Sequence, residues 1–259
     1  MKQIEKKPLI VVEDLRKVYM LGKEKVVALN QINLTINKGE IVCIFGKSGS
    51  GKSTLLNMLA GLEKPTKGRV MIGKTNLSAL NENKLAIFRQ RHIGFVFQSY
   101  NLLSIMTAKE NVAMPLMFKG IGTKKRNLVA AKMLTEVGLG DRINHRPNQM
   151  SGGQQQRVGI ARAFVARPKI VFADEPTGNL DSKTTIEVME LIVRMARDNE
   201  QTIILVSHDP EIASYADRII YLMDGDIEKI VDQTQKNEEV TEQVAVNEMQ
   251  EEEHKEILV

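Results

Sequence analysis

Gly46-Lys47-Ser48-Gly49-Ser50-Gly51-Lys52-Ser53 fits the pattern G-x-x-x-x-G-K-[ST], a loop that cradles phosphate. The apolar run Glu40-Ile41-Val42-Cys43-Ile44-Phe45 precedes it, and Thr54-Leu55-Leu56-Asn57-Met58-Leu59-Ala60 follows. This spacing predicts strand, glycine-rich loop and helix, the context the motif needs. The glycines let the backbone curl so that successive N–H groups converge on one anion. The helix after the loop adds unpaired N–H groups and the positive end of its dipole. Lys52 is placed to reach the β- and γ-phosphates, and the Ser53 hydroxyl to complete a Mg²⁺ shell. The competing reading, a glycine-rich turn with a chance lysine, does not account for the flanking strand and helix.

Upstream of the loop the chain reads as antiparallel β. Leu9-Ile10-Val11-Val12 and Arg16-Lys17-Val18-Tyr19 are short strand-like runs, and Ile32-Asn33-Leu34-Thr35-Ile36-Asn37 alternates strictly. Downstream, the helix is expected to bury Leu55, Leu56, Leu59 and Leu62. Residues 67–73 form another strand, and a helix over 82–89 leads to the strand Ile93–Phe97, which ends at Gln98. Between Ser99 and Arg167 strand signals are few. Thr107-Ala108-Lys109-Glu110 has capping-box spacing. The next helix, from Thr123, carries Leu128, Ala131, Leu134 and Val137 down one side. This stretch, about 99–167, is expected to be a helical subdomain inserted into an α/β core.

Ser151-Gly152-Gly153-Gln154 then opens a helix that stops before Pro168, with Ser151 as N-cap and Gln154 at the capping-box position. Paired glycines in a first turn cost about 1 kcal/mol each. They make sense where something anionic approaches the backbone. Lys169–Ala173 is a continuous apolar strand, typical of a parallel sheet covered on both faces, and it ends at Asp174-Glu175. A helix from Ser182 to about Asp198 places Ile186, Met189, Val193 and Ala196 on one face. A further buried strand, Thr202–Val206, ends at Ser207-His208-Asp209, and Pro210 starts a short helix. Two last strands flank Asp224-Gly225, a hairpin signal.

Composition sets the outer bounds. Apolar residues make up 42% of 259, enough for a substantial core, so wholesale disorder is excluded. The lone cysteine, Cys43, rules out a disulfide framework and fits a reducing compartment. The charged N-terminus has no signal-peptide pattern, and no run approaches a membrane span, so a soluble chain is expected. The net charge of +4 hides an asymmetry: residues 232–259 carry nine acids and two lysines, −7, leaving +11 on the rest. A basic body suits a nucleotide, a nucleic acid or an anionic membrane surface, or is simply a lysine-rich exterior. The acidic segment from 232 is expected to be disordered or ordered only by a partner.

Ligands of an open α/β sheet collect at the carboxyl ends of its strands. Asp174 there suits a Mg²⁺-shell carboxylate, and Glu175 a group that polarises the attacking water. An adjacent pair of acids is also a common cap or surface pair, but beside a phosphate loop the catalytic reading gains. A lone histidine is usually structural; at a buried strand end, His208 is read as a γ-phosphate contact. No Cys/His cluster supports a metal site made only of protein ligands.

Taken in order, Gly46–Ser53, Gln98, Ser151-Gly152-Gly153-Gln154-Gln155, Asp174-Glu175, Asn179-Leu180-Asp181 and His208 resemble the motif set of ABC-type ATPases, over about residues 9–231. The resemblance implies a RecA-like phosphate-loop core with an N-terminal antiparallel β part and an inserted helical subdomain. It implies ATP and Mg²⁺ as cofactors. The nucleotide is expected on Gly46, Lys47, Ser48, Gly49, Ser50, Gly51, Lys52, Ser53 and Thr54, with Tyr19 stacked on adenine. Tyr19 is otherwise a strand-surface tyrosine. Mg²⁺ is expected at Ser53, Asp174 and Gln98, directly or through water. Glu175, His208, Lys52 and Gln98 are expected to serve catalysis. A head-to-tail dimer with a second copy is implied, each ATP facing the other chain's Ser151, Gly152, Gly153 and Gln154, with Asp181 at the interface. Met150 and Lys47 depart from the commoner residues without threatening catalysis.

Phe97–Leu103, Asn111–Leu116 and Asp174–Asp181 resemble the macrolide-exporter and lipoprotein-release branch. The resemblance implies a separate integral membrane permease, contacted through Tyr100–Met106, and a peripheral place on the cytoplasmic side of the cell membrane. A cell-division or signalling adaptor that transports nothing would carry the same motifs. A nucleic-acid or ribosome-associated relative usually needs two ATPase domains in one chain or a long coiled coil. Neither is seen here, and no nucleic-acid partner is expected.

Overall fold

The computed structural model describes residues 7–233. The acidic segment read from the sequence lies outside the described residues from 234 onward. The chain opens with β1 (Pro8–Leu21) and β2 (Glu24–Asn37), a long antiparallel pair, followed by β3 (Ile41–Phe45) and α1 (Lys52–Leu59). Next come β4 (Lys67–Ile72), β5 (Thr75–Asn76), α2 (Glu82–His92) and β6 (Ile93–Phe97). The helical segment holds α3 (Ala108–Phe118), α4 (Thr123–Glu136) and α5 (Gly152–Phe164). The chain then alternates: β7 (Ile170–Asp174), α6 (Ser182–Asp198), β8 (Thr202–Ser207), α7 (Pro210–Ala213), and the hairpin β9 (Arg218–Met223) and β10 (Asp226–Asp232).

The strands form two sheets, an antiparallel one of order β2-β1-β4-β5 and a larger one of order β10-β9-β3-β8-β7-β6. In the larger sheet β9, β3, β8, β7 and β6 run parallel, and only β10 is antiparallel. Its inner strands β3, β8 and β7 are apolar along their middles because both faces are covered. Val42, Ile44, Phe172, Ile204 and Val206 pack with the antiparallel sheet and α1. Ile41, Cys43, Val171, Ala173, Ile203 and Leu205 pack with the helical side. Cys43 is wholly buried there, and burial pushes its thiol up to about 12, so it is inert core.

Some sequence expectations are corrected. The two runs at 9–12 and 16–19 are one strand, joined by register shifts around Asp14, whose φ is +46°. β2 begins at Glu24, eight residues before its alternating half. Leu62 lies beyond the end of α1 and is exposed. On α4, Leu128 is 73% exposed and Ala130 faces inward instead. On α6 the buried face is Thr185, Val188, Met189, Ile192, Met195 and Ala196, so Ile186 points outward. Both capping boxes form, Thr107 with Glu110 and Ser151 with Gln154.

Candidate active site

The adjacent parallel strands β3, β8, β7 and β6 deliver the sequence candidates to one edge of the sheet. β3 ends at the phosphate loop, β8 before His208, β7 at Asp174 and β6 before Gln98. The loop wraps a cleft of about 930 Å³ lined by Gly46–Gly49 and Gly51–Thr54, with Glu175 and His208 opposite. Gly51, the residue before α1, has φ +100°, and a Cβ there would meet the Ala28 carbonyl at 2.6 Å. Only glycine fits that turn. The Lys52 ammonium donates to the Gly46 and Lys47 carbonyls, each at 2.8 Å, and so lies folded within the loop. The Ser50 hydroxyl is buried without a hydrogen-bond partner among the described residues. A cationic loop with an unpartnered hydroxyl suits a polyphosphate.

Glu175 donates its N–H to the Val206 carbonyl at 3.0 Å, and its carboxylate pairs with His208 Nδ1 at 3.0 Å. Its φ of +42° is unusual for a non-glycine residue. Beside it, burial pushes the half-buried Asp174 carboxyl above its usual range; the Glu175 charge adds to this and Lys52 opposes it. Gln98 lines an adjoining pocket of about 290 Å³ that shares Glu175 and His208 with the main cleft. Its carbonyl accepts from Asn179 Nδ2 at 3.0 Å. Among the described residues no group of three or more His, Cys, Asp or Glu stands ready for a metal. A cation at this edge would need phosphate oxygens and water to complete its shell, with single oxygens from residues such as Ser53, Asp174 and Gln98.

Ser151, Gly152, Gly153 and Gln154 line a separate pocket of about 330 Å³, with Asp181 and Arg157, and it shares no residue with the loop cleft. The Ser151 hydroxyl accepts from Gln154 N at 3.3 Å, and Gln154 Oε1 accepts from Ser151 N at 3.1 Å. Asp181 caps α6, accepting from the Thr184 N–H at 3.0 Å and its hydroxyl at 2.7 Å. These bonds hold its carboxyl below the usual range. Tyr19 is not among the residues lining the cleft. Its hydroxyl donates to Glu63 at 2.8 Å, and the Lys17 ammonium sits 4.9 Å from its ring centroid.

Val26, Val27 and Ala28, which carry no motif, form an apolar wall of the cleft, and Asp224-Gly225, a hairpin turn in the sequence, also lines it. The first three lie in the half of β2 that lacks strict alternation, so periodicity gave no signal.

A phosphate loop feeding a helix, with acid, amide and imidazole at neighbouring strand ends, defines a nucleotide hydrolase of the phosphate-loop class. A family model described as "ABC transporter" matches residues 29–178. An uncharacterized ABC transporter ATP-binding protein of Methanocaldococcus jannaschii is 50% identical over 223 residues, 86% of this chain and 99% of its own length. A macrolide export ATP-binding/permease protein of Yersinia pestis is 45% identical over 232 residues; the match covers 90% of this chain but 35% of that longer protein. A solved dimeric ATP-binding cassette of Methanocaldococcus jannaschii, in a post-hydrolysis state with ADP and Pi, matches with TM-score 0.81. It is 42% identical, and the match covers 86% of this chain and 98% of that one. The chain belongs to the ABC transporter family, as its ATP-binding and ATP-hydrolysing cassette.

Proposed function

We propose that two copies of this chain close head to tail on two ATP molecules and drive a membrane permease of the macrolide-exporter or lipoprotein-release type. The separation of the loop cleft from the Ser151–Gln154 pocket carries this reading. Each holds half of what a γ-phosphate requires, so a second copy supplies the missing half. The α5 N-terminus then brings backbone N–H groups to the γ-phosphate from across the interface. Solved cassettes of similar sequence are dimeric, which supports the pairing of two copies.

Within one half-site, Lys52 leaves the loop carbonyls for the β- and γ-phosphates. Ser53, Asp174 and Gln98 would hold a Mg²⁺ ion, directly or through water, which would supply charge neutralisation at the phosphates. Glu175 polarises the attacking water, and His208, paired to it, holds the γ-phosphate end. Val26 and Val27 offer apolar surface to the base, with Tyr19 at the strand above.

A groove of about 220 Å³ between α3 and α4, lined by Met106, Met114, Met117 and Arg126 among others, lies beside the exposed Ile105. It suits an apolar permease segment, and methionine adapts to such a partner. Among the described residues no helix is long and apolar enough to cross a membrane. In this reading the permease is a separate polypeptide, this chain lies peripheral on the cytoplasmic face, and residues 1–231 form its ATPase domain. Affinity capture from detergent-solubilised membranes tests this: one co-purifying permease with few spans is expected, and capture of soluble proteins alone contradicts it.

A further inference from the structure

We propose that Tyr100 and Arg162 are positioning residues that fasten the loop after Gln98 onto α5. Nucleotide engaged at Gln98 in one protomer then sets the placement of that protomer's Gly152-Gly153 over its partner's ATP. The inference rests on the shared-site reading above.

Three observations carry it. Tyr100 and Asn101 are consecutive non-glycine residues with φ of +59° and +48°, a backbone that needs support from outside the loop. Arg162 supplies it: its guanidinium, half-buried in the third turn of α5, donates to the Tyr100 carbonyl at 2.7 Å and to the Asn101 carbonyl at 2.5 Å. Such a planar fork holds two acceptors in one fixed geometry, where a lysine's flexible stem and compact ammonium leave them free to shift. Finally, the Tyr100 side chain runs along α5. Its carbonyl lies 3.7 Å from where a Cβ of Gly159 would stand, and its hydroxyl 2.8 Å from that of Gly152. The tyrosine thus spans the helix from its anchored third turn to its first, where the phosphate-facing glycines sit.

The other connections run the same way. Gln156, fully buried on α5, donates to the Pro176 carbonyl, one residue past Glu175. Thr184 of α6 packs against Gly153, and Asn179 donates to the Gln98 carbonyl. The segments bearing Gln98, Glu175 and Asp181 are therefore all tied to one helix, and Arg162 and Tyr100 form the tie on the Gln98 side. Displacement of Gln98 moves the Tyr100 backbone, and Arg162 passes that movement to α5 as a rigid element.

The test compares turnover with nucleotide binding in the purified full chain. ATP hydrolysis, binding of the fluorescent analogue methylanthraniloyl-ATP and thermal melting are measured for Arg162→Lys, Tyr100→Ala, Tyr100→Phe and Gly153→Asp. Arg162→Lys and Tyr100→Ala are expected to lose about tenfold or more in turnover with analogue binding within about twofold, because misplacing a catalytic element taxes the reaction more than ground-state binding. Tyr100→Phe keeps the ring along α5 and most of the rate. The inference is overturned if Arg162→Lys and Tyr100→Ala turn over as wild type does. It is also overturned if their turnover falls only in step with analogue binding or folded fraction. Gly153→Asp separates the two layers. Full turnover in that variant overturns the shared-site reading and this inference with it; loss there beside wild-type turnover in Tyr100→Ala and Arg162→Lys overturns the inference alone.

Discussion

Glu175 keeps a left-handed backbone because its N–H is tied to β8 and its carboxylate to His208. A substitution that preserves shape and removes charge tests its role. Glu175→Gln is expected to lower hydrolysis by about 10²–10⁴-fold, the range of a general base, while ATP still binds. Radiolabelled phosphate release against nucleotide binding measures both. Asp174 differs, since burial raises its carboxyl pKa. An acid raised on folding holds its proton more tightly in the folded state. Its contribution to stability is greatest below the ordinary carboxylate range and is lost as pH rises through the raised value. Asp174→Asn removes that loss. The ligand-free melting temperature of the variant should exceed wild type near about pH 8, and the gap should close toward about pH 4. The variant should also lose Mg²⁺-dependent hydrolysis. A gap that widens in acid would contradict this.

At the scale of elements, local chemistry and tertiary packing separate cleanly. Thr107→Ala removes the α3 capping box and should cost about 1 kcal/mol, read as a lower urea midpoint. Phe172 is wholly buried on β7 and stacks on Phe95 at 5.6 Å, so Phe172→Ala should cost about 3–5 kcal/mol by the same measurement. Features whose cause is local were legible in the sequence. Ser151 and Gln154 announce their cap three residues apart, and the apolar runs of β3, β7 and β8 announce a doubly covered sheet. The phase of a helix is not local. On α6, Ile186, Met189, Val193 and Ala196 make as regular a stripe as the true one, and the helical-side core turns Ile186 outward in favour of Val188 and Ile192. The first half of β2 is chosen by its ladder with β1, from Leu29 opposite Lys17 to Glu24 opposite Leu21, which no pattern within β2 discloses. For the same reason the apolar wall at Val26–Ala28 was invisible, whereas the loop, the strand-end acids and His208 were not. The fastening of Tyr100 by Arg162 joins residues 62 apart and needed the fold.

For the whole molecule, one sheet edge gathers the candidate groups for hydrolysis while the pocket of Ser151–Gln154 and Asp181 stands apart from it. In the proposed reading a single chain so built binds ATP but presents an incomplete site, and completion by a second copy makes the γ-phosphate the link between them. That link is what a permease seated on the α3–α4 groove would sense. The most direct test is the size in solution of Glu175→Gln protein with and without Mg-ATP, by light scattering on a sizing column. The account predicts the 29.0 kDa chain alone and twice that mass with Mg-ATP, reverting with Mg-ADP. Glu175→Gln protein that binds Mg-ATP yet stays at 29.0 kDa would contradict it.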